Sequence, residues 1–324
     1  MIYECKVSSM QKIDVEIAIK MWTDQYRKYC GNNNDFPAYW GSNINDIESF
    51  LNNKVETNSA IIAKLDNKIV GFLAYDEFPF NGEDSVFCPA IAHCATEEYK
   101  ESAYLSLYKS ISQQWTNKGI LNHMWTIFYN DTELKNILFD LGYGSYLIDA
   151  FSSLNNKPEG ECLFEIKKAD LEDINTLYLL VEESEEYYKS APLFLKRDKI
   201  SKEEISELIS KSNVFIAWDK EKAVGFINLS TANNNNPIDM SIDNCGLIDE
   251  IGAYIKLEYR GEKIGEQLLK SVSEYCSLNK ISGIHVDFET ANLYANKFWR
   301  KYFSPMLLSM RRTINKNINY IEVC

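Results

Sequence analysis

Apolar and polar positions along the chain switch between two periods, and the switches mark its elements. Residues 2–7 alternate and predict a short strand, while Met10 to Tyr29 carries apolar residues at helical spacing, with Ile13, Ile17, Met21 and Trp22 assigned to one face. Residues 31–35 are polar and break that helix; Asn45 to Leu51 predicts a second, short one. The runs Ala60–Leu65 and Lys68–Tyr75, separated by Asp66-Asn67, predict a hairpin. Tyr99–Asn117 predicts a helix, Leu121–Tyr129 a buried strand, Leu134–Leu141 a helix and Tyr143–Phe151 a closing strand. Residues 155–160, polar with Pro158 and Gly160, read as a linker.

The second half repeats this order. Cys162–Lys167 predicts a strand, Ala169-Asp170 leads into a helix carrying Leu171, Ile174, Leu177 and Tyr178, and Lys202–Ser210 predicts another helix. Val214–Asp219 and Lys222–Leu229 form the hairpin again, and both hairpins contain Lys-x-Val-Gly-Phe. Gly71 aligns with Gly225, an offset of 154 (225 less 71), and Leu138-Phe139 aligns with Phe298-Trp299, an offset of 160 (298 less 138). Two anchors in the same order point to a tandem duplication with an insertion near 232–237. Each copy reads β-α-α-β-β-β-α-β-α-β, so two similar domains are expected, 1–154 and 160–324, in an α/β or α+β class. A length of 324 residues suits two cores of roughly 150.

A net charge of −13 argues against nucleic acid and anionic membranes as partners, which need basic surface. It suits a cationic substrate and equally plain solubility. The eight cysteines include no Cys-x-x-Cys pair; Cys88 and Cys94 with His93 lack further metal ligands, so no metal is expected and the thiols read as reduced, in a cytoplasmic protein. Met1 to Lys6 has no apolar signal region and no run reaches membrane-span length. Cys324 as the last residue is not a prenylation box.

The chemistry concentrates near the C-terminus. Leu247 to Ile255 reads as one buried strand, followed by a turn with Arg260, Gly261 and Gly265 and a helix beginning Ile264-Gly-Glu-Gln-Leu-Leu. A strand–turn–helix of this kind presents unpaired amides at the positive end of a helix dipole, a site for phosphate. Arg260, Gly261, Glu262, Lys263, Ile264 and Gly265 resemble the acyl-CoA-binding motif Arg/Gln-x-x-Gly-x-Gly/Ala of the GCN5-related N-acetyltransferases (GNAT), with Lys263 in place of the first motif glycine. Downstream, Asn292, Ala295, Phe298 and Lys301 match the family's Asn-x-x-Ala segment, and Trp299 stands where the family has tyrosine. The resemblance implies an α+β fold, a mixed and mostly antiparallel sheet split between its fourth and fifth strands, with acyl-CoA in the split.

It further implies acetyl-CoA as acyl donor. Turn amides of 261–265 would hold pyrophosphate, with Arg260 adding charge. Backbone amides of Ala253, Tyr254 and Ile255 would polarise the thioester, and Asn292, Ala295, Phe298 and Trp299 would border the pantetheine arm. An amine acceptor must lose a proton before attack. Asp249 and Glu250 are the candidate bases; Asp249 shares strand parity with Ile251, Ala253 and Ile255. Glu289 and His285 are weaker candidates. An indole cannot protonate the departing thiolate, which leaves Tyr294 or Tyr302, or an unaided departure. Asn292 is equally readable as a helix cap. The acceptor pocket is expected from 182–200, with Tyr187, Tyr188 and Phe194.

The first half offers no such turn. No glycine occurs from Glu83 to Lys118, and Glu97, Glu98 and Glu101 occupy the phosphate position. It is expected not to bind CoA and to serve as scaffold or as a wall for the acceptor. The reading is therefore direct acetyl transfer to a small-molecule or peptide amine by the C-terminal domain. A non-catalytic CoA-binding or interaction protein is the alternative, favoured by Lys263 and Trp299.

Overall fold

The computed structural model describes residues 3–31, 33–154, 158–159 and 163–320. Most of the expected linker, Cys162 at the start of the expected strand and Cys324 lie outside them. The elements run β1 (Lys6–Ser9), α1 (Lys12–Cys30), α2 (Asn45–Glu56), β2 (Ala60–Leu65), β3 (Lys68–Ala74), β4 (Asp76–Phe80), β5 (Glu83–Cys88), β6 (His93–Ala95), α3 (Lys100–Asn117), β7 (Asn122–Phe128), α4 (Thr132–Asp140) and β8 (Gly144–Ser152). They continue with β9 (Glu165–Lys168), α5 (Ile174–Lys189), α6 (Lys202–Lys211), β10 (Asn213–Asp219), β11 (Lys222–Thr231), β12 (Gly246–Ile248), β13 (Ala253–Ile255), α7 (Ile264–Leu278), β14 (Ile284–Glu289), α8 (Leu293–Tyr302) and β15 (Ser304–Thr313). The mixed sheets with flanking helices make this an α+β fold.

The chain forms two compact units, one of residues 1–148, 236–240 and 306–324, the other of 149–235 and 241–305. This differs from a division at 154–160. In the first unit the free edge of β7 is taken by β15, Leu307 opposite Phe128 through Thr313 opposite Asn122. In the second, residues 149–152 of β8 flank β14. Strands adjacent in sequence usually pair; here the closing strands do not follow that rule.

The first unit has a sheet β1-β2-β3-β6 and another in the order β4-β5-β7-β15. The second runs β14-β12-β11-β10-β9, with β13 paired to β11. The repeat holds in the pairing. Gly71 of β3 faces Ala95 of β6, and Gly225 of β11 faces Ile255 of β13. The offset is 154 at the glycines and 160 (255 less 95) at their partners, so the insertion falls between 225 and 255. Both glycines serve close approach. A Cβ on Gly225 would lie 2.7 Å from the Tyr254 carbonyl oxygen, and one on Gly71 3.0 Å from the Ala103 Cβ.

One expected helix face is corrected. On α1 the buried row is Val15, Ala18, Ile19, Trp22 and Tyr26, while Ile13 is 85% exposed. Ile13 and Trp22 are nine residues apart, about half a turn out of phase at 3.6 residues per turn, so they cannot share a face. The second unit's core follows the pattern: Leu177, Leu180 and Val181 of α5 and Ile205 and Leu208 of α6 pack on Ile216 and Phe226.

Candidate active site

The expected continuous strand 247–255 is broken. β12 pairs on both sides, with β11 and, in parallel, with β14 as far as Ile248 opposite Val286. Residues 249–252 then turn, with Glu250 and Gly252 at positive φ (55° and 63°) and the Gly252 amide donating to the Asp249 carbonyl at 2.7 Å. β13 resumes on β11 alone. The sheet therefore parts between β13 and β14 just past Val286. Lys256 donates its amide to Val224, and the Gly252 carbonyl accepts from Asn228. Alternation along a strand then turns the amides of Ala253 and Ile255 away from β11, toward the split.

A cavity of about 550 Å³ fills that split, lined by Ala253, Tyr254 and Ile255 on one wall and Val286, Asp287 and Phe288 on the other. Arg260, Gly261, Lys263, Ile264 and Gly265 close one end, and Asn292, Tyr294, Ala295, Phe298 and Trp299 border it. Glu262, exposed, is absent from the lining. Lys263 caps α7 in the left-handed conformation, φ 62°, that a glycine adopts freely. Gly265 allows close packing: a Cβ there would meet Ile255 at 3.1 Å and Phe298 at 3.2 Å. The first amides of α7 have no intrahelical acceptor.

Arg260 donates from Nε to the Ile255 carbonyl at 3.2 Å, and its guanidinium lies over the rings of Tyr187 (4.4 Å) and Tyr294 (4.6 Å). Its Nη1 is buried with no hydrogen-bond partner. That orphaned donor, the amides of the turn and the glycine cradle fit the phosphates of a CoA-type group. Glu266, in the first turn of α7, accepts from Lys301 Nζ (2.6 Å) and Tyr302 Oη (2.8 Å), and these bonds hold its pKa down. Lys301 thus neutralises the carboxylate in the first turn of α7, and Tyr302 is engaged there, outside the cavity lining.

The candidate bases separate. Asp249 sits on the turn, so strand parity does not place it, yet it lines the cavity, and its carboxylate accepts from Ser230 Oγ at 2.9 Å. Glu250 lines the cavity, its pKa raised by burial and by Asp249. Glu289 is not in the lining, and His285 is buried 3.1 Å from the Asp149 carboxylate. The residue missed is Asp287, the first β14 residue past the last β12 pair. Asp287 lines the cavity and is exposed to it; the protein packed around it, followed by the neighbouring Asp149 charge, raises its pKa to about 6.

Asn292 caps α8, its Oδ1 accepting from the Ala295 amide (3.3 Å) and from Tyr187 Oη (3.1 Å). Tyr294 is 63% exposed, with its ring under Arg260; Trp299 is buried against Phe298 and Phe303. Tyr187 and Tyr188 line the cavity, and Phe194, 74% exposed, does not.

The corresponding gap of the first unit is filled. β5 pairs with β7 as far as Cys88 opposite Trp125, then β6 leaves to pair with β3. His93 of β6 spans the gap, Nε2 donating to the Thr126 carbonyl (2.9 Å) and Nδ1 accepting from Tyr104 Oη (2.8 Å), with its ring stacked on Trp125. Burial lowers its pKa to about 4, which keeps it neutral. Lys100, which aligns with Arg260 at the offset of 160, is buried and bonds Asp131 (3.2 Å) and Tyr29 Oη (2.8 Å). Asp131 caps α4 as Asn292 caps α8. No turn precedes α3 comparable to 260–263.

A sheet parted at its centre, with an anion-binding turn at one end, defines the acyl-CoA N-acyltransferase fold. Residues 210–302 match the family described as "Acetyltransferase (GNAT) domain". A GCN5-related N-acetyltransferase from Sphaerobacter thermophilus is similar at 12% identity, covering 97% of this chain and 98% of that one with a TM-score of 0.59. A GCN5-related glucosamine N-acetyltransferase region of a fungal multi-domain β-N-acetylglucosaminidase is similar at 11% identity, covering 95% of this chain and 38% of that one with a TM-score of 0.53. At such identities the likeness is one of fold. No curated protein matches the chain. The family match supports an acyltransferase-type activity. Among the described residues no helix is long and apolar enough to cross a membrane, and no cluster of His, Cys, Asp or Glu suits a metal.

Proposed function

We propose that the second unit transfers an acetyl group from acetyl-CoA directly to an amine. The observation carrying this reading is the open split whose one end bears the orphaned Arg260 donor and the α7 turn, and whose wall bears Asp287. The turn amides and Arg260 bind the pyrophosphate. The Ala253 and Ile255 amides face the split and serve as donors to the thioester carbonyl oxygen as charge develops on it. Asp287, with its pKa near neutrality, accepts the proton that the ammonium must lose. The amine nitrogen forms the new C–N bond as the C–S bond breaks; the sulfur leaves as thiolate, a good leaving group with an ordinary pKa of about 8.5, and takes up, directly or through water, the second proton that the nitrogen sheds. No tyrosine is required for that departure, which accords with Trp299 in place of tyrosine. The first unit, its gap occupied by His93 and the Lys100–Asp131 pair, is proposed not to bind CoA.

The test is calorimetric titration of acetyl-CoA into the full chain and a Gly265→Glu variant, with circular dichroism to establish that the variant folds. One equivalent bound, and lost in the variant, supports the reading; two equivalents refute the assignment of the first unit. Absence of binding refutes the transferase reading. Binding without thiol release for any amine favours a non-catalytic CoA-binding protein.

A further inference from the structure

We infer that the acceptor is a diamine or polyamine whose second ammonium is held by Glu185. This rests on the transferase reading above and specifies its substrate class. A second cavity of about 820 Å³ lies in the same unit and shares Arg197 and Glu250 with the split. Its lining includes Ser184 and Glu185 of α5. Glu185 is only 6% exposed, and among the described residues it has no hydrogen-bond or ion-pair partner. The hydroxyl of Ser184 beside it is likewise buried and unpartnered. A buried carboxylate is costly unless a cation and hydrogen bonds compensate it. An ammonium, with three donors and no acceptor, is the group that compensates such a carboxylate.

The other charges lining the cavity are paired, stacked or exposed to solvent, Asp198 among the exposed ones. Glu204 accepts from the Ser201 amide in the α6 capping box, and Glu207 pairs with Lys211 at 2.8 Å. Arg197 stacks its guanidinium 4.0 Å over the Tyr188 ring. Lys196 and Lys199 are exposed to solvent, which screens them. Glu185 is left as the buried charge with no hydrogen bond or ion pair, the exposed Lys189 one turn on acting on it only through its field. With Glu250 and Arg197 at the junction, an extended acceptor can present one nitrogen to Asp287 in the split and keep the other against Glu185. A neutral tail would leave that carboxylate uncompensated.

The experiment compares kcat/KM, followed by thiol release, for putrescine and cadaverine against butylamine and pentylamine in the intact protein and in Glu185→Gln. The intact protein should favour the diamines by roughly tenfold to a hundredfold, the worth of one charge-assisted contact. Glu185→Gln should bring the ratio near unity, chiefly by raising KM for the diamines, while retaining acetyl-CoA affinity by calorimetry. Equal rates for diamines and monoamines in the intact protein overturn the inference, as does a preference that survives Glu185→Gln. Those results leave amine acetylation standing, whereas failure of every amine to release thiol overturns both readings.

Discussion

Lys263 holds a backbone conformation that its side chain makes costly, and a pair of substitutions isolates the cost. The residue sits at φ 62° and ψ 13° at the start of α7, with its side chain exposed. A left-handed residue bearing a Cβ pays roughly 1–2 kcal/mol in steric strain. Glycine removes that strain but releases more freedom in the unfolded chain, roughly 0.4–1 kcal/mol. Lys263→Gly should therefore be more stable than Lys263→Ala by about 0.5–1 kcal/mol, or roughly 1–4 °C in Tm. Both variants lose the same ammonium and its attraction to Glu266, so their difference reports backbone strain less the unfolded-chain entropy of glycine. Urea unfolding and calorimetric Tm of the two proteins make the comparison. In acetyl-CoA titrations both variants should weaken binding by a similar factor, about two- to fivefold, since each removes one charge near the turn. Equal stability of the alanine and glycine variants would refute the strain argument. A loss of affinity confined to alanine would show that conformation, rather than charge, limits the turn.

Further outcomes follow from the same geometry. Asp287→Asn should abolish the acidic limb of the kcat/KM profile, which in the intact protein rises with pH through an inflection near the Asp287 pKa of about 6. Since that pKa is raised above the model-compound 3.8, protonation favours the folded state, and stability falls as pH rises between those values. The asparagine variant should then be the more stable protein at neutral pH and lose that advantage in acid; denaturant midpoints across pH test the sign. Gly225→Ala forces a Cβ to 2.7 Å from a backbone oxygen and should cost about 1–3 kcal/mol in urea unfolding. Lys100→Met leaves Asp131, 2% exposed, without its cation and should cost about 3–5 kcal/mol; a change below about 1 kcal/mol would refute a buried ion pair there.

What the sequence revealed and what it hid divide along physical lines. The Lys-x-Val-Gly-Phe hairpins were legible because the glycine requirement is local: each marks a point where one strand's backbone meets its neighbour. The α7 core face was legible for a similar reason, since Ile264, Leu268, Val272 and Cys276 follow one helical row. Asp287 was not legible. Its place on the cavity wall and its charged neighbour both come from tertiary structure, Asp149 arriving from β8, 138 residues earlier (287 less 149). The break at 249–252 was hidden because Leu247–Ile255 is apolar enough for one strand; only Gly252 hinted at a turn, and Glu250 adopts positive φ without being glycine. The exchange of closing strands left no local trace either, because β8 and β15 carry comparable apolar runs and pairing partners are not written in strand composition.

The two units show how a parted sheet is either used or closed. Where β13 leaves β14, small Ala253 opens onto a cavity; at the matching position, 160 residues earlier, His93 bridges β6 to the Thr126 carbonyl. Where Arg260 stands with an unpartnered nitrogen over tyrosine rings, Lys100 is joined to Asp131. Where Asn292 caps its helix without charge, Asp131 caps with a carboxylate that would repel a phosphate were Lys100 not beside it. His93 and Lys100 bond inside the protein, where the second unit has an open split and the unpartnered Arg260 nitrogen. A parted sheet exposes backbone donors and acceptors that water or a ligand must meet, so a unit with no ligand gains stability by filling the gap. His93, Lys100 and Asp131 are therefore stabilising residues of the first unit, whereas Arg260 keeps a buried donor that packing alone does not explain. The stability cost expected for Lys100→Met and the affinity cost expected for Gly265→Glu are opposite expressions of that one difference.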